Sequence, residues 1–197
     1  RPFAPDAAAS PRLADVVGGA AHLWDCVPSK AMIAAGAAFG DIGDAHSMGV
    51  QTTGTALDLD ALREHIAGIV GRLESSGRRL LESQHVRIIQ GSGRVAGPNS
   101  VIADTADGPI ELHADAILVS TGSRPRVPDF AKPDGDRILT TRDAYPPREL
   151  PEHLIVIGSG VTGVEFVHMF QSIGSKVTLI VSRQQVLPQK DPEVAAV

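Results

Sequence analysis

The chain of 197 residues is long enough for one large domain or two small ones, and its 43% hydrophobic and 21% charged residues are those of a globular protein. A net charge of −5 without a basic cluster argues against a nucleic-acid partner. No apolar run reaches membrane-spanning length, the N-terminus lacks the apolar core of a signal peptide, and one cysteine forms no internal disulfide, so a reducing, cytoplasmic setting is expected. The first residue is Arg1, which suggests a fragment or a processed product.

Residues 1–17 are rich in Pro and Ala with no period for helix or strand, which predicts a disordered segment of no assigned function. Gly18-Gly19 follows, then Cys26-Val27-Pro28-Ser29-Lys30 and a small-residue helix over 31–39. Cys26 stands near the start of that helix, where the dipole favours a thiolate. It reads equally as a reactive sulfur or as a buried structural cysteine.

Asp58 or Asp60 caps a long amphipathic helix running to about Gln84, with Leu59, Leu62, Ile66, Ile69, Val70 and Leu73 at helical spacing. His65, Arg72, Arg78 and Arg79 fall off that stripe and read as solvated surface. The period then becomes that of strands, at 86–89, 101–103, 110–113 and 116–119, with turn signals at Gly91-Ser92-Gly93 and Ala106-Asp107-Gly108. Thr121 and Gly122 end the last of these strands, and Gly122 allows a ligand close to the backbone. The proline-bearing stretch 127–150 connects two domains. The seven histidines are scattered without metal-ligand spacing, so no metal is expected.

Leu154-Ile155-Val156-Ile157 is an apolar, β-branched run suited to a strand buried on both faces of a parallel sheet. It leads into Gly158-Ser159-Gly160-Val161-Thr162-Gly163, then a helical pattern at Val164, Val167, Met169 and Phe170, and a second strand over 176–181. Among 20 glycines a GxGxxG says little by itself; between a strand and a helix it predicts a dinucleotide site, with an ordinary unliganded βαβ turn as the competing reading. The first glycine makes the tight turn, the second lets a diphosphate approach the backbone, and the third lets helix pack on strand.

Four stretches thus stand in order: Gly18-Gly19 with Cys26 to Lys30, then Gly91-x-Gly93, then Ser120-Thr121-Gly122-Ser123, then Gly158-x-Gly160-x-x-Gly163-x-Glu165. This order resembles the pyridine-nucleotide–disulfide oxidoreductases, flavoproteins that include dihydrolipoamide dehydrogenase and glutathione reductase. The resemblance implies an α/β, Rossmann-like FAD/NAD(P)-binding fold. It implies an incomplete FAD domain over 18–148, followed by the first βαβ unit of an NAD(P) domain over 149–197. It also implies that Lys30 and Glu165 meet beside the flavin, that Cys26 is the cysteine nearest the flavin, and that Gly93, Thr121, Gly122 and Ser123 contact FAD. Gly158, Ser159, Gly160, Val161, Thr162 and Gly163 then form the NAD(P) diphosphate turn. A homodimer is implied for the full-length protein.

Two departures narrow the function. The family's disulfide reductases carry a second cysteine where this chain has Ala21, and a dithiol couple needs two sulfurs. The expectation is therefore hydride transfer from NAD(P)H to FAD and on to a quinone-type acceptor, as in the NAD(P)H:quinone reductase branch. The alternatives are a dihydrolipoamide-dehydrogenase-like disulfide reductase and a non-catalytic nucleotide-binding remnant. At the end of the second strand, Val181 replaces the carboxylate that favours NAD, and Ser182 and Arg183 follow. Arg183 either pairs with a 2′-phosphate or is a solvent-exposed arginine, so NADPH is expected with NADH tolerated. Residues 1–17 contain no separate GxGxxG for FAD.

Overall fold

The computed structural model describes residues 17–23, 25–182, 184–188 and 191–195. The disorder expected for residues 1–16 and the role expected for Arg183 lie outside the described residues. The chain divides into two compact units: Arg1–Asp25 with Ile69–Arg142, and Cys26–Gly68 with Asp143–Val197.

The second unit holds α2 (Cys26–Asp44), β4 (His153–Ile157), α4 (Val161–Ser172), β5 (Lys176–Ile180) and the short α5 (Pro192–Ala195). β4 and β5 pair in parallel, from His153 with Lys176 to Ile157 with Ile180, as a βαβ unit requires. Helix α4 packs on both strands with one face and on α2 with another. Met32, Met169, Phe170 and Ile173 are at most 2% exposed and form the centre of this packing. The approach of α2 to α4 is close because position 36 is glycine. A Cβ there would lie 3.0 Å from the Cβ of Ser172. Tyr145 meets Phe166 edge-on at 5.1 Å, and Phe166 stacks on Phe170 at 5.9 Å, extending the core beneath α4.

Two expectations for this unit change. The helix expected over 31–39 starts earlier and ends later, because Pro28 sits in its first turn, where a missing N–H costs nothing. And β4 is not buried on both faces. Ile155 and Ile157 are 56% and 52% exposed, since only the face bearing Leu154 and Val156 is covered by α4.

The first unit holds α1 (Ala20–Leu23) and an antiparallel meander of β1 (Ser92–Gly97), β2 (Ser100–Thr105) and β3 (Gly108–His113). β2 and β3 turn at Ala106-Asp107 as expected, with the Thr105 hydroxyl donating to the Gly108 carbonyl at 2.7 Å. Gly93 is not in a turn; it lies within β1, opposite Ala103. Neither 86–89 nor 116–119 forms a strand. An extended apolar run becomes a strand only where another strand meets its backbone groups, and among the described residues none pairs with either run. Leu118 is accordingly 92% exposed.

Helix α3 (Leu59–Ser83) is divided between the units at Gly68 and Ile69. Its start is set by Asp58, whose Oδ1 accepts the Ala61 N–H at 3.0 Å. Leu62 and Ile66 of the expected apolar stripe are buried, while Leu73 and Leu80 are exposed.

Candidate functional site

The turn between β4 and α4 has the backbone that a dinucleotide fingerprint needs. Gly158 has φ +114°, in the region that favours glycine, and its N–H donates to the Ile180 carbonyl at 3.0 Å, closing the turn onto β5. Gly160 is the N-cap of α4 and, having no side chain, makes no side-chain cap to the first-turn N–H groups. A Cβ at Gly160 would meet nothing within 4 Å. A Cβ at Gly163 would instead overlap the carbonyl oxygen of Gly158. The three glycines therefore do separate things: one makes the turn, one leaves open space before a helix N-terminus, and one lets helix and strand touch. Ser159 is buried, its carbonyl accepting the Leu187 N–H at 2.7 Å, while Val161 and Thr162 are exposed at the mouth of the turn. The open space, the first-turn N–H groups and the positive end of the helix suit a diphosphate.

In the same unit Lys30, on α2, and Glu165, on α4, meet: Nζ lies 2.7 Å from Oε1 across 135 residues of sequence. Both heads keep access to solvent, with the Lys30 side chain 59% and the Glu165 side chain 28% exposed. Ion pairs this exposed contribute about 0–1 kcal/mol to stability. Lys30 Nζ also donates to the Ser29 hydroxyl at 3.5 Å, and Ser29 is buried. Cys26 opens α2 and is exposed, which removes the reading of it as a buried structural cysteine. Ser182 is exposed just past β5.

In the first unit Thr121, Gly122 and Ser123 line a cavity of about 510 Å³ together with Arg124 and Arg142. Gly122 has φ +70°. Gly93 is not among the residues that line this cavity. Arg124 and Arg142 were not among the residues singled out from sequence; neither belongs to a spacing that carries chemistry. Among the described residues no group of three His, Cys, Asp or Glu side chains stands close enough to hold a metal ion. No described helix is long and apolar enough to cross a membrane.

Comparison with known proteins decides the family. The profile described as pyridine nucleotide-disulphide oxidoreductase matches residues 4–197. The chain belongs to this family. It is 37% identical over 192 residues to an NAD(P)H dehydrogenase (quinone) of Mycobacterium tuberculosis, covering 93% of this chain and 39% of that protein. It is 30% identical over 181 residues to a dihydrolipoyl dehydrogenase of Zymomonas mobilis, covering 91% of this chain and 39% of the relative. Among solved structures it resembles LpdA from Mycobacterium tuberculosis, with TM-score 0.80 and 38% identity over 92% of this chain and 40% of that one. The chain therefore spans about 39% of the length of the curated relatives it matches. Its fold is the Rossmann-type α/β fold of pyridine nucleotide-disulphide oxidoreductases. Within that family the chain has Ala21 and a single cysteine, Cys26.

Proposed function

We propose that the chain is the cofactor-binding part of a flavin-dependent NAD(P)H oxidoreductase that delivers electrons to a quinone-type acceptor without a redox dithiol. The observation that carries this reading is the Lys30–Glu165 pair, an exposed 2.7 Å contact whose position follows the family pattern and whose contribution to stability is small. FAD, when bound, accepts hydride from the nicotinamide and passes two electrons to the acceptor.

The chain's own residues supply holding and positioning. The 158–163 turn takes the NADPH diphosphate through the N–H groups of the first turn of α4 and the open side of Gly160. Lys30 and Glu165 fix one another's head groups where hydride passes, so each restricts the other's rotamers. Thr121, Gly122 and Ser123 supply hydroxyl and backbone contacts to FAD, and Gly93 a further one. Ser182, exposed just past β5, stands toward the adenosine ribose, with NADPH preferred and NADH tolerated. Two partial domains, over 18–148 and 149–197, a homodimer for the full-length protein and a cytoplasmic location complete the reading.

The reading without a redox dithiol rests on Ala21 and the single cysteine of these 197 residues. Ala21 stands where a sulfur would relay electrons, and Cys26 alone cannot cycle between dithiol and disulfide. The 30% identity to a dihydrolipoyl dehydrogenase supports the disulfide-reductase alternative at the level of the family, and that chemistry would need a second thiol besides Cys26.

The test is the visible spectrum of the purified protein before and after anaerobic NADPH. A flavin band that bleaches, followed by quinone turnover insensitive to thiol-blocking reagents, is expected. A folded protein without a flavin band would leave a nucleotide-binding remnant, and turnover abolished by thiol blocking would restore the disulfide-reductase reading.

A further inference from the structure

We infer that Arg142 is a positioning residue for the 121–123 turn and that, with Arg124, it gives the adjoining cavity the positive charge that selects an anionic cofactor. This rests on the reading of Thr121, Gly122 and Ser123 as flavin contacts. The Arg142 guanidinium reaches back 19 residues and donates from Nη2 to the Ser123 carbonyl at 2.9 Å. Residues 120–126 belong to no helix or ladder, and Gly122 sits at φ +70°. Such a segment has no secondary structure to order it, and every ligand contact it makes must offset its loss of conformational freedom. One donor anchored on the carbonyl next to Gly122 restricts that freedom before a ligand arrives, which is preorganisation.

The choice of arginine has a chemical reason. Its guanidinium stays charged and planar, so the N–H that holds the Ser123 carbonyl is presented in a fixed orientation by a group that keeps its charge. The Arg142 backbone N–H donates to the Thr140 hydroxyl at 3.3 Å, which shapes the segment that carries it. The cavity of about 510 Å³ is lined by two guanidinium-bearing residues, two hydroxyl-bearing residues and Gly122, with no carboxylate among them. That composition favours phosphate-bearing ligands over neutral or cationic ones.

The experiment measures FAD affinity and the bound-flavin absorption band in the purified protein and in Arg142→Ala, Arg142→Lys and Arg124→Ala, each at low and high salt. NADPH binding to the flavin-free protein serves as the control for folding. Arg142→Ala should weaken FAD binding about tenfold and change the shape of the flavin band, with NADPH binding unchanged. Arg142→Lys should recover the salt dependence but not the band shape, because it keeps the charge and loses the fork. Arg124→Ala should reduce the salt dependence alone. Wild-type affinity and spectrum in Arg142→Ala would overturn the inference while leaving the flavin reading intact. Equal loss of FAD and NADPH binding in that variant would overturn it by showing a general structural role. A wild-type protein that takes up no flavin at all would sink the flavin reading and this inference with it.

Discussion

The carbonyl oxygen of Gly158 occupies the space into which residue 163 would project a Cβ, so the first and third glycines of the fingerprint are packed against each other. Backbone meets backbone here, and neither side can rotate away. Gly163→Ala should destabilise the protein by about 1–3 kcal/mol, read by thermal or urea unfolding. Gly160→Ala should behave differently. Its Cβ meets nothing and φ −72° suits alanine, so stability should fall by less than about 1 kcal/mol while NADPH binding weakens clearly. Equal effects of the two substitutions on stability would contradict the separate roles.

Glu165→Ala should leave stability within about 1 kcal/mol of wild type, because the pair it breaks is largely solvated. Reduction of the flavin by NADPH, followed by stopped-flow absorbance, should slow about tenfold to a hundredfold with FAD retained. Loss of FAD in proportion to the loss of rate would remove Glu165 from the hydride-transfer role.

Cys26→Ser should leave quinone reduction near wild type, since no dithiol lies on the electron route proposed. Steady-state turnover with a soluble quinone checks this. Abolished turnover with flavin still bound would show that the thiol takes part.

Asp58→Ala should cost about 1 kcal/mol through loss of the cap on α3, measured by chemical unfolding. Asp58→Asn or Asp58→Ser should restore most of it. Either result is independent of cofactor.

The Asp134 carboxylate is held below its ordinary range, chiefly by the Ile138 N–H and then by those of Asp136 and Arg137, each donating at 2.9 Å. A lowered folded-state value means that this loop gains stability above the ordinary carboxylate range and loses it as pH falls through the lowered value. Asp134→Ala should flatten the acid side of local stability below about pH 4, where the unfolded carboxylate begins to take up its proton. Amide exchange at Ile138 across that range reports it, and identical pH dependence in both proteins would count against the hydrogen-bonded carboxylate.

The βαβ unit was legible because its signals are local: an apolar run, three glycines at fixed spacing and a helical period follow one another within thirty residues or so. The Asp58 cap was legible for the same reason. The Lys30–Glu165 contact was not, since nothing in the spacing of two charges 135 residues apart announces it; only the family resemblance brought them together. Strand β1 was hidden by its own composition. Ser92-Gly93-Arg94-Val95-Ala96-Gly97 lacks apolar alternation, because nearly all of it faces solvent and pairing alone holds it. The opposite error occurred at 116–119, where a good strand sequence finds no neighbour. Arg142 carried no signal, as a side chain that acts by reaching a distant carbonyl leaves no periodicity.

Gly36 sits about 9 Å along α2 from Lys30, given a rise of roughly 1.5 Å per residue. At Gly36 the spacing of α2 from α4 is set by the absence of a side chain, and α4 is the helix that carries Glu165. The gap between an ammonium and a carboxylate is thus gauged by a hydrogen atom nearly two turns away. A larger side chain at position 36 would then shift the Lys30–Glu165 contact without altering either residue, so the contact can be tuned from a small-residue patch that takes no part in it.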